Sequence, residues 1–295
     1  MNDFGPQLLG PGMSSLADFP LLYKFIDAHD RLSVQVHPSD ADAHENGWGR
    51  FGKTECWYIV HAEPRAQIAV GFRKGVSKDD VSDAVRDISL NDLLEFHDIA
   101  AGDVFFIPAG TVHAICGNTI LYEVQQTSDV TFRLYDWGRL DKTGKSRPLH
   151  IRESLQVLDT RWHSSYDIPA VPVETLHNGA RIMRIACRYF ALEEYDFYGP
   201  GSITLPTRQS FSAMVVLDGS AEVSGTKLAR GQSVLFPAAM GAVEIGVGSG
   251  ARFLISWVPD LTSDIIIPLN KLGIGSAAIA SLGGNAESND LLALL

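Results

Sequence analysis

From Leu32 to His37 the chain alternates strictly. Leu32, Val34 and Val36 fall on one face of an extended strand, and Ser33, Gln35 and His37 on the other. An apolar side backed by a Ser/Gln/His side predicts a sheet whose inner surface lines a polar pocket, and Pro38 ends the strand. Apolar or alternating runs predict further strands at 21–27, 55–60, 68–72, 102–108, 119–126 and 131–135. In the second of these, alternation sets Glu55, Trp57 and Ile59 on one face. Elsewhere the period is helical. Ser77 with Asp80 three residues on is a helix-start pattern, and Val81, Val85 and Ile88 follow at helical spacing. A second short helix is expected from Ser89 to Leu94, and another around 150–158, after a turn at Asp141–Lys145. Beyond about residue 165 short strands alternate with Gly and Pro turns. One such strand is Ser212–Leu217, with Asp218-Gly219 expected as its hairpin turn. A terminal helix is expected at Asn289–Leu295.

An internal echo links the two halves. Gly102-x5-Pro108-Ala109-Gly110 is matched by Gly231-x5-Pro237-Ala238-Ala239. Five residues after Pro108 stands His113, and five after Pro237 stands Ala242. Two related β-barrels, one equipped for chemistry and one blank, are the simplest account. The fold expected is mainly β, with a small helical insertion near 77–97. Residues 1–165 would form the first, metal-binding catalytic domain, 166–265 a degenerate second one, and 266–295 a C-terminal tail.

Composition adds exclusions. Over 295 residues, 45% hydrophobic and 20% charged, the chain can bury a sizeable core. A net charge of −11 leaves no basic footprint for nucleic acid. Cys56, Cys116 and Cys187 are odd in number and lack CxxC spacing, which argues against a disulfide framework or a thiolate zinc site. No secretory signal is visible, and no apolar run approaches the ~20 residues of a membrane span. A cytoplasmic protein without membrane or nucleic-acid partners is expected, and the sequence specifies no oligomeric state.

The chemistry sits on the polar strand faces. Gln35, His37, Glu55 and His113 offer one amide, two imidazoles and one carboxylate, placed where alternation aims them at a common point. Such donors suit a divalent metal of the zinc, iron or manganese type. Three strong ligands and one weak one leave coordination room for a substrate, so the site is expected to be catalytic. The remaining seven histidines lack this context and read as structural. Lys53 shares a strand face with Glu55, where an ammonium would bind phosphate or, with a lowered pKa, assist proton transfer. Ser33 shares the face of Gln35 and His37, and Glu123 is a candidate acid or base by residue type.

The spacing Gly102-x5-Pro108-x-Gly110-x2-His113 resembles the second motif of the cupin superfamily, whose barrels are jelly rolls. Gln35-x-His37 followed by Lys53-x-Glu55 narrows the resemblance to type I mannose-6-phosphate isomerases of the short bacterial branch. Blocks Leu32–Asp40, Gly52–Ile59, Gly102–His113 and Glu123–Arg139 carry it in order, from about Phe19 to Asp159, and more weakly to about Pro259. It implies two cupin-type barrels and a single zinc ion per chain on Gln35, His37, Glu55 and His113. It implies reversible conversion of mannose 6-phosphate to fructose 6-phosphate through an enediolate. Arg133 maps to a catalytic arginine of the family. Lys53 and Ser33 would serve phosphate or proton traffic, and Glu123 the substrate. Longer relatives carry a histidine where this chain has Gly52. Family members also begin with a segment bearing an Ile-Trp-Gly-Gly-like motif, and residues 1–18 contain none. A silent sugar-binding or regulatory cupin that keeps its metal is the rival from another class. A metal-dependent cupin oxygenase is the rival enzyme, and the glutamine argues against it.

Overall fold

The computed structural model describes residues 5–13, 18–285 and 289–295. These separate into two compact units, one of residues 21–167 and one of the residues up to Pro20 together with 168–295. All described cysteines are free thiols. Among the described residues no helix is long and apolar enough to cross a membrane.

The first unit contains nine strands: β1 Leu21–Ala28, β2 Val34–Val36, β3 Glu55–Ala62, β4 Gln67–Phe72, β5 Leu94–Asp98, β6 Val104–Ile107, β7 His113–Ile115, β8 Thr119–Gln126 and β9 Phe132–Tyr135. One sheet runs β1-β8-β3-β6 and the other β5-β4-β7-β2-β9, with antiparallel neighbours throughout. Trp57, Ile59, Ile68, Val70, Phe105, Ile115 and Leu121 from both sheets form one core cluster. The other face of the second sheet is apolar too, because helices cover it. Val34, Val36, Ala69 and Leu134 pack there with Val81 and Val85 of helix Lys78–Arg86 and Val157 of helix Ile151–Val157. The alternation around Gln35 is thereby explained: valines face the helices and Gln35 faces inward. Leu32 departs from it. It lies before the strand begins, is 36% exposed, and borders the inner cavity.

The helix after Ser77 starts as expected, with a reciprocal capping box between Ser77 and Asp80. The expected second helix is a 3₁₀ turn, Leu90–Leu93, after which the chain extends into β5 and pairs with β4. Sheet pairing overrides the helical reading of Leu94.

The second unit is a nine-stranded sheet. The echo holds in the backbone: Gly102 and Gly231 both take left-handed φ, +94° and +81°, before strands that end at Pro108 and Pro237. Asp218-Gly219 is not the expected turn. Strand Ser212–Val223 runs through it with a register shift, and the reversal comes at Ser224-Gly225, whose φ of +48° and +78° suit a two-residue hairpin. The tail is not separate either. Ile266, Leu269, Ile279, Leu282 and Leu291 belong to this unit's core. Asn289–Leu295 forms turns and not a helix, because the Asn289 side chain accepts from the Leu291 and Leu292 amides. The first residues also group here, in contrast to the 1–165 expectation: Leu9 is fully buried and the Phe19 and Phe211 rings lie 4.4 Å apart.

Glu193, 1% exposed, is the most deeply buried charged residue described in this unit. It accepts from Arg181 Nε at 3.1 Å, Arg208 Nη2 at 3.1 Å and Tyr195 Oη at 3.1 Å. The Arg208 guanidinium lies 3.6 Å from the centre of the Trp257 ring. Burial pushes the Glu193 carboxyl up, but Arg208 and Arg181 more than offset this and hold it below the ordinary carboxylate value. A depressed folded pKa adds stability above the unfolded value, about 4.3 for Glu, and that stability is lost as pH falls through the folded value. Glu193→Ala is expected to lose about 3–5 kcal/mol, since it strands buried guanidinium charge. Urea titrations at neutral and acid pH check this: in Glu193→Gln the acid loss of stability should be shallower than in the unaltered protein.

Candidate metal centre and active site

Register builds the site. Gln35 of β2 pairs with His113 of β7 on one side and with Arg133 of β9 on the other, so the three stand in one row. In the other sheet β3 and β8 pair Glu55 with Gln125 and Trp57 with Glu123, and β1 sets Lys24 opposite Glu123. His37 follows β2 directly.

His37, Glu55 and His113 are 1%, 1% and 3% exposed, and their ligand-type atoms lie within 4.8 Å of one another. His37 Nε2 is 3.6 Å from Glu55 Oε2, and His113 Nε2 is 3.5 Å from Glu55 Oε1. His37 Nδ1 meets the Val130 carbonyl at 3.1 Å and His113 Nδ1 the Thr111 carbonyl at 2.9 Å. A carbonyl only accepts, so each Nδ1 carries the proton and each Nε2 presents a lone pair to the centre. Burial holds both rings neutral, His37 well below its ordinary value and His113 down to about 4. Two neutral imidazoles with fixed tautomers and one carboxylate could hold a metal ion. The donors already gather a cation. Lys53 Nζ lies 2.9 Å from Glu55 Oε2 and 3.1 Å from His37 Nε2. Burial alone would lower the Lys53 pKa, but Glu55 and Glu123 raise it above the ordinary value, contrary to the lowered pKa considered from sequence.

A cavity of about 180 Å³ opens in front of these groups. Ser33, Gln35, Lys53, Glu55, His113 and Glu123, all picked out from sequence, line it. His37 and Arg133 are not part of that lining. His37 stands within reach of Lys53 and Glu55, and Arg133 donates from Nη1 to the Pro148 carbonyl at 2.9 Å. Glu123, 3% exposed, accepts from Lys24 Nζ at 2.8 Å and Trp57 Nε1 at 3.1 Å. Burial and the nearby Glu55 push its carboxyl up, and the two lysines do not fully offset them. Sequence reading missed Lys24 and the Trp57 bond. The available signal was a lysine inside the apolar run 21–26, but its partner depends on strand register. Gly52 has a steric reason. A Cβ there would come within 2.4 Å of the Ser39 carbonyl carbon and 2.5 Å of the Asp40 nitrogen, so no side chain fits.

The same registers read out the blank barrel. Glu55 pairs with Ile107, just before Pro108, and Ser212 pairs with Phe236, just before Pro237. Ser212 therefore stands where Glu55 stands, and Ala242 where His113 stands. Leu205 pairs with Val243, so by count Pro206 and Arg208 take the places of Gln35 and His37.

No protein-family model matches the chain. It is 34% identical over 239 residues to the mannose-6-phosphate isomerase ManA of Bacillus subtilis, an alignment covering 77% of this chain and 72% of that protein. It is 44% identical over 152 residues to a mannose-6-phosphate isomerase of Streptococcus mutans, covering 52% and 47%. The crystal structure of the mannose 6-phosphate isomerase from Bacillus subtilis aligns with a TM-score of 0.73 at 30% identity, over 82% of this chain and 76% of that one. Curled β-sheets and that likeness define the class as cupin-type. The chain belongs to the mannose-6-phosphate isomerase family, and it is an aldose–ketose isomerase.

Two substitutions test the centre. Glu55→Ala is expected to abolish stoichiometric metal binding, measured by elemental analysis after dialysis. Ala242→His is expected to leave the metal content unchanged, because Ser212 and Arg208 fill the other two positions of the second barrel.

Proposed function

We propose that this enzyme interconverts mannose 6-phosphate and fructose 6-phosphate, with zinc held by His37, Glu55, His113 and Gln35. The observation that carries the reading is the convergence of Gln35, Glu55 and His113 with Lys24, Lys53 and Glu123 on one small cavity, with His37 gathered beside Glu55 and His113. Neutral imidazole and carboxylate donors suit Zn²⁺. A bound zinc ion would supply Lewis acidity next to the substrate's carbonyl and neighbouring hydroxyl.

The residues of the chain do the rest. Glu123 takes the proton from C2 of the aldose and returns it to C1, and the raised pKa of its carboxyl suits it to hold that proton between the two events. Its bonds from Lys24 and Trp57 fix its position. Gly52 leaves no side chain at the place of the histidine found in longer relatives, which favours Glu123 as the base. The enediolate formed between the two proton transfers carries negative charge on oxygen. Arg133 stabilises that charge, its Nε being buried without a hydrogen-bond partner. Lys53 and Ser33 receive the phosphate or the sugar hydroxyls at the cavity wall. Lys53 contacts two of the residues that would hold the metal, Glu55 and His37, so with metal bound its ammonium would be available to the substrate.

Arg133→Ala is expected to keep its metal and lose about 10²–10³-fold in kcat for the interconversion. A coupled assay of fructose 6-phosphate formation, beside metal analysis, checks it. Metal-loaded unaltered protein with no turnover would refute the isomerase reading and leave a sugar-binding cupin.

A further inference from the structure

Arg133 lies on β9, the outermost strand of its sheet. One side of its backbone therefore has no strand neighbour. A short irregular segment takes that place. The His150 N–H donates to the Arg133 carbonyl at 2.8 Å, and the Arg133 N–H donates to His150 Nδ1 at 3.0 Å. The side chain is tied to the same segment through Nη1 and the Pro148 carbonyl, 2.9 Å apart. What the guanidinium faces thus depends on where residues 148–150 lie.

The segment has an anchor. Asp136, three residues beyond Arg133, is 6% exposed. Its carboxylate receives Arg147 as a two-pronged fork, Nε to Oδ2 at 2.9 Å and Nη2 to Oδ1, and also receives Arg139 Nη2. Burial pushes the carboxyl up, and the two arginines bring it below its ordinary value, so Asp136 is charged at neutral pH. Between the anchored residues the chain is exposed and reverses at Asp141–Lys145. Arg147 directly precedes Pro148. Proline locks its own φ and restricts the residue before it, so holding Arg147 narrows where the Pro148 carbonyl can lie.

We propose that Asp136 is a positioning residue for Arg133: by holding Arg147 it sets the Pro148 carbonyl, which sets the direction of the Arg133 guanidinium. The proposal rests on the reading of Arg133 given above. Fold stability is a poor alternative reason for the cluster. The Arg139 and Arg147 side chains are 34% and 48% exposed, so removing the Asp136 charge leaves neither guanidinium buried without solvent. Rate is far more sensitive, since a misplacement of about 1 Å of a reacting group costs on the order of a hundredfold.

The test uses the full chain, metal-loaded. Asp136→Asn is expected to lower kcat for mannose 6-phosphate about ten- to a hundredfold, with metal content and melting temperature close to those of the unaltered protein. Arg147→Gln, at a half-exposed side chain, should reproduce the loss and covers the case in which Asp136→Asn folds poorly. Combined with Arg133→Ala, Asp136→Asn should lower kcat no further, because no guanidinium remains to be aimed. Undiminished kcat in Asp136→Asn and Arg147→Gln, with Arg133→Ala impaired, overturns the positioning role alone. So does an additive loss in the double variant. Undiminished kcat in Arg133→Ala overturns the assignment of Arg133 and the positioning role with it.

Discussion

Burying the Glu55 carboxylate is the constraint on which the rest of the site depends. At 1% exposure, an uncompensated carboxylate would cost more than the whole net stability of a domain. The two histidines beside it cannot supply the charge, since burial keeps them neutral and their Nδ1 protons are committed to backbone carbonyls. Lys53 does supply it, which explains a lysine only 6% exposed. The next carboxylate, Glu123, is pushed up by its own burial and by the nearby Glu55, and a second lysine, Lys24, partly offsets this at 2.8 Å. A divalent ion fits the same logic: it is a stronger answer to the same excess of donors.

The second barrel shows what happens when that carboxylate is removed from its strand. Ser212 stands at the place of Glu55 and Ala242 at that of His113, so nothing there calls for a metal. The buried negative charge reappears on another strand as Glu193, and the positions are closed by protein: Arg208, at the place of His37, bonds Glu193 and covers Trp257. Arg208 Nη1 still lies 3.4 Å from Ser212 Oγ, as His37 lies near Glu55 in the first barrel. The backbone frame is common to both barrels. What differs is whether the charge at its centre is answered by an ammonium whose donors could also hold a metal ion, or by a guanidinium.

Much of this was legible in the sequence, for local reasons. Strand alternation at 32–37, the capping box at Ser77 and the paired Gly-x5-Pro turns are short-range features, and they survive folding intact. Gln35, Glu55 and His113 were recoverable because alternation alone fixes which face a residue takes. Lys24 and Arg208 were not, because their meaning comes from partners 99 and 15 residues away, set by register. Asp218-Gly219 misled for a related reason. The dipeptide suits a turn, but the strand it interrupts is held along its length by pairing on both sides, and Gly219 absorbs the irregularity at φ +67°. The tail lacked any periodic signal, since its apolar residues are sorted by the core they meet.

The division of labour among strands gives the site its character. Gln35, Glu55 and His113 sit on β2, β3 and β7, each with a neighbour on both sides, while Lys24 and Arg133 sit on the outermost strands β1 and β9. Metal ligands tolerate errors of only about 0.2 Å in their distances, so they belong where pairing on both sides removes freedom. Lys24 and Arg133 stand instead at the sheet margins, where backbone pairing is half complete. A margin position needs its own support. For Lys24 the neighbouring strand β8 supplies it through Glu123, and for Arg133 the segment clamped by Asp136 does. On the proposed roles, metal affinity and turnover would be separable: the interior strands would set the first through Gln35, Glu55 and His113, and the supports of Lys24 and Arg133 would modulate the second.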